Sequence, residues 1–287
     1  MVSLPIATCR SRRFDMRKAV LVVLMVLLHF FVGGVTHVLA QRIVVLYAAA
    51  SPVLKALGVE EEVVGVTRKD HTFPHAVKVG SHLRPNIELI KALKPDLIIA
   101  GSRRAFPEAL RQKVQARVFY YDPRTLAEIL KTIEDLGQIL AREKEAQALV
   151  AQLEKKLAQV EAISCRPRVV YEIMERPLKV AGQKNIVTDI IRVAGGVNPV
   201  KVAKKHVLIS PEEILLLKPD LYLYQVGPMN KNPTPPKKRA YFKGLRAQTI
   251  KVNEFEFARP GLNAFEAVIH LNGILKRFCA TKTRRRS

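Results

Sequence analysis

The side chains best suited to chemistry in this chain lie in short turns that border apolar, strand-like runs. Tyr47 ends the run Ile43-Val44-Val45-Leu46-Tyr47, and Arg68 and His71 follow Val63-Val64-Gly65-Val66. His82 and Arg84 share the segment Ser81-His82-Leu83-Arg84, and Arg103 follows Leu97–Ala100. Further along come Lys184, His206 and Arg259. Most of the charged members are cationic. Arginine forks onto carboxylate or oxyanion oxygens, and low-dielectric walls make a few cations count heavily toward an anion. The chemistry these residues predict is anion recognition. His82 is also a candidate for hydrogen bonding or metal ligation. Catalysis is not expected: the chain has no Gly-x-Gly-x-x-Gly, P-loop, His-Glu-x-x-His or Gly-x-Ser-x-Gly motif. No carboxylate pair stands out as a general acid and base. The cysteine spacing fits no zinc motif, so neither a resident metal nor a cofactor is expected.

Composition limits the setting. The 287 residues are 48% hydrophobic and 25% charged, which marks a folded chain with room for one large or two medium domains. Arg17 and Lys18 precede an apolar run from Ala19 to Val35, and Val38-Leu39-Ala40 has the small residues of a cleavage site. Residues 1–40 therefore read as an export signal cut after Ala40, with Met16 as an alternative start. An uncleaved anchor over Ala19–Ala40 is the competing reading. The formal net charge is +23. Arg10, Arg12, Arg13, Arg17 and Lys18 against Asp15 give the first forty residues +4, leaving +19 for the remainder. Export and the even scatter of Lys and Arg argue against a nucleic-acid partner. Past the signal only Cys165 and Cys279 remain. An oxidising compartment permits a bridge between them, and their number alone does not establish one.

A repeated segment organises what must hold the candidate residues. Asn86-Ile87-Glu88-Leu89-Ile90-Lys91-Ala92-Leu93-Lys94-Pro95-Asp96-Leu97 recurs 124 positions later as Ser210-Pro211-Glu212-Glu213-Ile214-Leu215-Leu216-Leu217-Lys218-Pro219-Asp220-Leu221. Each copy reads as a capped short helix, stopped before its proline, followed by a buried strand. Two lobes of similar construction follow, with strands and helices alternating around mostly parallel sheets. Between them, Thr125–Ala162 carries apolar residues at helical spacing with no proline and a single glycine, Gly137. It predicts one continuous strut of roughly 55 Å crossing between the lobes. The expected organisation is a signal over 1–40, a first lobe over 41–124, the strut over 125–162 and a second lobe over 163–287. Asn232-Pro233-Thr234-Pro235-Pro236 is expected to be an exposed loop.

Val79-Gly80, Pro85-Asn86-Ile87-Glu88, Leu93-Lys94-Pro95-Asp96-Leu97, Ala194-Gly195-Gly196-Val197-Asn198, Ile209-Ser210-Pro211-Glu212-Glu213-Ile214 and Arg259-Pro260-Gly261 occur in this order. Together they resemble the periplasmic substrate-binding proteins of ABC importers for iron–siderophore complexes and cobalamin, over about residues 42–277. The resemblance implies an α/β fold of two Rossmann-like lobes joined by a single long α-helix, with the ligand cleft between them. It implies a monomer that hands its ligand to a permease dimer in the membrane, docked through one surface glutamate per lobe, here Glu88 and Glu212. Glu213, three places after Ser210, suits a capping box instead. The haem-binding branch carries a ligating tyrosine after Val-Gly, where this chain has Ser81 beside His82. The chain has no tryptophan, whereas a corrinoid face favours broad aromatic walls. An anionic ferric chelate leads, with haem, a corrinoid, and molybdate or tungstate as alternatives.

Overall fold

The computed structural model describes residues 41–284. The signal expected over 1–40, with its cleavage point and alternative start, lies outside the described residues. Among them, no helix is long and apolar enough to cross a membrane.

The first lobe runs β1 (Ile43–Val45), α1 (Ser51–Ala56), β2 (Val63–Val66), β3 (Val77–Lys78), a small hairpin of β4 (Gly80–Ser81) and β5 (Arg84–Pro85), α2 (Ile87–Ala92), β6 (Leu97–Ala100), α3 (Glu108–Arg111) and β7 (Arg117–Tyr120). Its sheet has the order β3-β2-β1-β6-β7, with every neighbour parallel. The central strands β1 and β6 are buried at every position, as the apolar runs of a sheet covered on both faces must be. Two helices follow, α4 (Leu126–Leu140) and α5 (Glu143–Leu157).

The second lobe runs β8 (Val169–Met174), β9 (Lys179–Ala181), α6 (Ile186–Val193), β10 (His206–Leu208), α7 (Pro211–Leu216), β11 (Leu221–Val226), β12 (Gln248–Asn253), α8 (Glu254–Phe257) and α9 (Asn263–Arg284). Its sheet order, β10-β9-β8-β11-β12, matches the first lobe only in part. β8, β11 and β12 are parallel, while β9 runs antiparallel to both β8 and β10.

The repeated segment forms the same clip in both lobes. Asn86 and Ser210 each accept a backbone N–H in the first turn of their helices, and Glu213 closes the expected capping box on Ser210. Lys94 and Lys218 then turn into left-handed geometry, φ 45° and 43°. That conformation costs an L-residue roughly 1–2 kcal/mol, so neighbouring bonds must hold it. Asp96 accepts the Arg42 N–H at 2.8 Å, and Asp220 accepts the Arg168 N–H at 2.8 Å. The same two arginines donate through Nε to the carbonyls of Leu93 (2.8 Å) and Leu217 (3.0 Å), capping the helix ends. Leucine, lysine, proline and aspartate recur because together with one arginine they lock a helix end to the start of a neighbouring strand.

The strut differs from expectation. Residues 125–162 form two 15-residue helices, not one rod. Ala141 sits at φ 53°, ψ 49°, and the Arg142 N–H returns to the Gly137 carbonyl at 2.7 Å, a Schellman closure built without glycine at the left-handed position. The gap in apolar spacing between Leu140 and Leu149 is this corner. The helices fold back: the Leu126 N–H donates to Asp189 of α6 (2.8 Å), the corner pairs Arg142 with Glu62 (3.1 Å), and Lys156 at the far end of α5 pairs with Glu266 of α9. Gly137, which the spacing marks as a weakness, is where the helices touch. A Cβ there would lie 2.5 Å from the Cβ of Ala146. Gly137→Val is therefore expected to destabilise the fold by about 1–3 kcal/mol in urea unfolding, despite valine's better helix propensity.

One apolar cluster draws residues from both sheets, from α4 and α5, and from α9, including Ile43, Ile99, Ile133, Leu153, Tyr171, Leu223 and Leu271. Each sheet's other face has its own smaller cluster. The lobes are thus packed on a common core. Cys165 and Cys279 form a disulfide, Cα–Cα 5.6 Å, fixing the exit of α5 to α9. Closing a loop across 114 positions contributes about 4–5 kcal/mol in the chain-entropy account.

In the second lobe, Glu172 on β8 and Arg239 form a bidentate pair at 2.5 and 2.9 Å, with side chains 0% and 1% exposed. The Tyr222 hydroxyl donates to Glu172 (2.6 Å), and Arg239 Nε donates to the Thr234 carbonyl (2.7 Å). Asn230 donates to the Gln225 carbonyl (2.9 Å), and Glu175 accepts the Thr234 N–H (2.7 Å). The proline-rich segment expected to be a plain exposed loop is exposed only in part. Buried Asn230 and Arg239 pin its two ends, and Pro236 is itself buried.

Candidate functional site

Side chains from both lobes converge on one cluster. Tyr47, just past β1, lies 6.3 Å from His82 and 6.1 Å from Tyr121 between ring centroids. Asp122 follows β7, and Lys205 reaches it from the other lobe, Nζ to Oδ1 3.4 Å. Arg124 also approaches Asp122 at 3.4 Å. Half-buried Arg259 lies over the Phe255 ring at 4.2 Å and acts electrostatically on Tyr47. The lobes touch again at Gly261, where a Cβ would come 2.8 Å from the Ala49 carbonyl oxygen.

The titration behaviour of these groups reflects their shared surroundings. Burial, and secondarily the Asp122 carboxylate, pushes the Tyr47 phenol up to about 12, so it is a neutral hydrogen-bonding group at any physiological pH. Burial pushes Tyr121 higher still, and its hydroxyl has no hydrogen-bonding partner among the described residues. His82 is lowered by burial and by the Lys205 charge; His206 is lowered by burial, Lys205 and Lys179. Both imidazoles are held toward the neutral form, free to accept as well as donate.

The expected site residues divide. The structure brings together Tyr47 and His82, with Arg259 acting on Tyr47 electrostatically; His206 is exposed beside Lys205 in the chain and contacts none of them. Arg103 is exposed and covers the Tyr120 ring at 4.6 Å, at the end of the strand that leads to Asp122. Arg68 and Arg84 are exposed on the hairpin side: the Arg68 N–H donates to the Gly80 carbonyl (2.7 Å), and the N–H of Arg84, within the hairpin, donates to the Ser81 hydroxyl (3.2 Å). His71 is exposed on the turn after β2. Lys184 is exposed, and its N–H reaches the Lys204 carbonyl (3.2 Å). Among the described residues, none of these four side chains forms a hydrogen bond, ion pair or ring contact with the cluster. Sequence reading missed Lys205 and Asp122. The run Lys204-Lys205-His206 carries a signal for Lys205, a lysine directly beside a candidate histidine. Lys205 is positioned through its own carbonyl, which accepts the Gly182 N–H (3.3 Å) and the Asn185 side-chain N–H (3.0 Å).

Among the described residues, no group of three His, Cys, Asp or Glu side chains is arranged to hold a metal. A separate groove of about 1080 Å³ lies against the starts of β11 and β12, among Lys218, Asp220, Leu245, Arg246 and Lys282, and shares no residue with the cluster. Glu88 and Glu212 are both exposed in the first turns of α2 and α7; Glu88 pairs with Lys91 at 3.2 Å.

Two α/β lobes on a shared core, meeting at a rim of rings and charges, are an architecture suited to holding a ligand at the lobe junction. The sequence matches the periplasmic binding protein family over residues 43–270, so the chain belongs to that family, the substrate-binding components of ABC importers. It is similar to the vitamin B12-binding protein of Vibrio cholerae, 29% identical over 191 residues, covering 63% of this chain and 69% of the relative. It is also similar to the high-affinity heme uptake system protein IsdE of Staphylococcus aureus, 26% identical over 173 residues, covering 56% and 59%. Among solved structures, an ABC transporter substrate-binding protein from Listeria monocytogenes superposes with a TM-score of 0.71 at 21% identity, covering 83% of this chain and 99% of that one. The vitamin B12-binding protein BtuF of Vibrio cholerae gives 0.67 at 24%, covering 83% and 97%. At these identities the structural likeness speaks for the fold.

Proposed function

We propose that this protein captures an anionic metal chelate between its lobes and delivers it to a membrane permease. The observation that carries the reading is the cluster where the lobes meet: the neutral rings of Tyr47 and His82, backed by buried Tyr121, with Lys205 and Arg259 as cations and Asp122 as the carboxylate among them. Rings offer flat apolar contact to a chelate face, and the cations suit carboxylates at its edge. The relatives named for vitamin B12 and heme support a large metal-bearing ligand. Haem and ferric siderophores with carboxylate or catecholate edges fit this description better than a neutral corrinoid or a bare molybdate or tungstate. The protein works as a monomer, exported by its N-terminal segment; the disulfide supports an oxidising compartment.

Calorimetric titration with haemin, a ferric catecholate, cyanocobalamin and molybdate tests the reading. An anionic chelate should bind with Kd below about 1 μM, more weakly as salt rises. Binding of molybdate alone, or tighter binding of neutral cyanocobalamin than of every anionic chelate, would sink it.

A further inference from the structure

The contact between Lys205 and Asp122 joins opposite lobes at the centre of the proposed ligand site. Lys205 Nζ lies 3.4 Å from Asp122 Oδ1, with side chains 39% and 26% exposed. The lysine's backbone is fixed by Gly182 and Asn185, so only its side chain is free to exchange partners. Its charge acts on His82 from the first lobe and on its own chain neighbour His206. Asp122 acts on Tyr47 and is approached by Arg124 as a second cation at 3.4 Å. If Lys205 leaves, Asp122 keeps a counter-charge. A half-exposed pair of this kind is weak, so a ligand group with better geometry can displace it.

We propose that Asp122 is an internal stand-in for the ligand's anionic group. It holds Lys205 across the lobe junction, and a carboxylate or comparable anion on the chelate takes Lys205 from it, while Arg124 retains Asp122. Lys205 and Asp122 are thereby specificity-determining residues for ligand charge: an anionic edge gains the lysine, and a neutral edge meets a pair already satisfied. This rests on the anionic-chelate reading and adds to it the group that reads the charge.

The test compares haemin with haemin dimethyl ester, the same macrocycle without its two carboxylates, on the wild type, Asp122→Asn, Lys205→Gln and the double variant. Asp122→Asn should tighten haemin binding by about fivefold, the most such a pair is worth, and leave the ester within twofold. Lys205→Gln should weaken haemin binding selectively, and by a larger factor in the Asp122→Asn background than alone. That non-additivity is the signature of two groups competing for one partner. A ligand-free readout accompanies it: the rate of Lys205 acetylation, followed by mass spectrometry, should rise in Asp122→Asn. If wild-type protein binds haemin while Asp122→Asn leaves its affinity unchanged or lowers it, the stand-in role is overturned and the anionic-chelate reading survives. Unchanged Lys205 acetylation likewise overturns the pair. If the wild type binds no anionic chelate at all, the functional reading falls and this inference falls with it.

Discussion

Arg239→Ala is expected to lower the unfolding free energy by about 3–5 kcal/mol, the largest stability loss of any single change considered. The substitution leaves Glu172 buried at 0% side-chain exposure, its bidentate partner gone and only Tyr222 and Asn230 to face it. An uncompensated charge in that position is far more costly than the intact pair is favourable, because desolvation of two ions consumes most of their mutual attraction. Removing both charges together, as in Glu172→Leu with Arg239→Met, should therefore cost much less than Arg239→Ala alone. Urea unfolding of the three proteins measures this directly. A loss below about 1 kcal/mol for Arg239→Ala would mean that the network does not hold the 230–239 segment against the sheet.

Reversing both Glu88 and Glu212 to lysine is expected to weaken association with the permease by about 100-fold or more, since each interface charge pair becomes a repulsion. Ligand affinity should stay within twofold, because neither residue belongs to the Tyr47–Lys205 cluster. Folding should change modestly: each lysine replaces a favourable first-turn carboxylate worth about 0.3–1 kcal/mol, and Glu88 also loses its contact with Lys91. Uptake into proteoliposomes holding the permease, measured beside calorimetric ligand affinity, separates the outcomes. Undiminished uptake would end the docking role; lost ligand affinity would place the two glutamates in capture instead.

The repeat made much of the fold legible. Leu-Lys-Pro-Asp-Leu announced a helix end and a buried strand in each lobe, and both occur. The arginines that complete the clip, Arg42 and Arg168, gave no signal, since their partners lie 54 and 52 positions away. Gly137 misled because the same residue marks a weak point in an isolated helix and a close crossing between two packed ones. Ala141 hid the corner because a left-handed helix end normally announces itself with glycine. β9 and β10 are only three residues each and went unmarked.

For the candidate site, residue type and position near strand ends single out Tyr47, His82 and Arg259, which the structure groups in one region. The same criteria gave equal weight to Arg68, His71, Arg84 and Lys184, which lie outside the cluster. Local order along the chain determined the α/β class, the doubling of the lobes and the cationic character of the turns, because backbone preferences and apolar periodicity act over a few residues. The tertiary structure alone decided that the strut doubles back, that Arg239 is buried on Glu172, and that Lys205 meets Asp122 across 83 positions. Such contacts are set by how the two sheets settle on a common core, a balance of packing and desolvation that no short stretch of sequence contains.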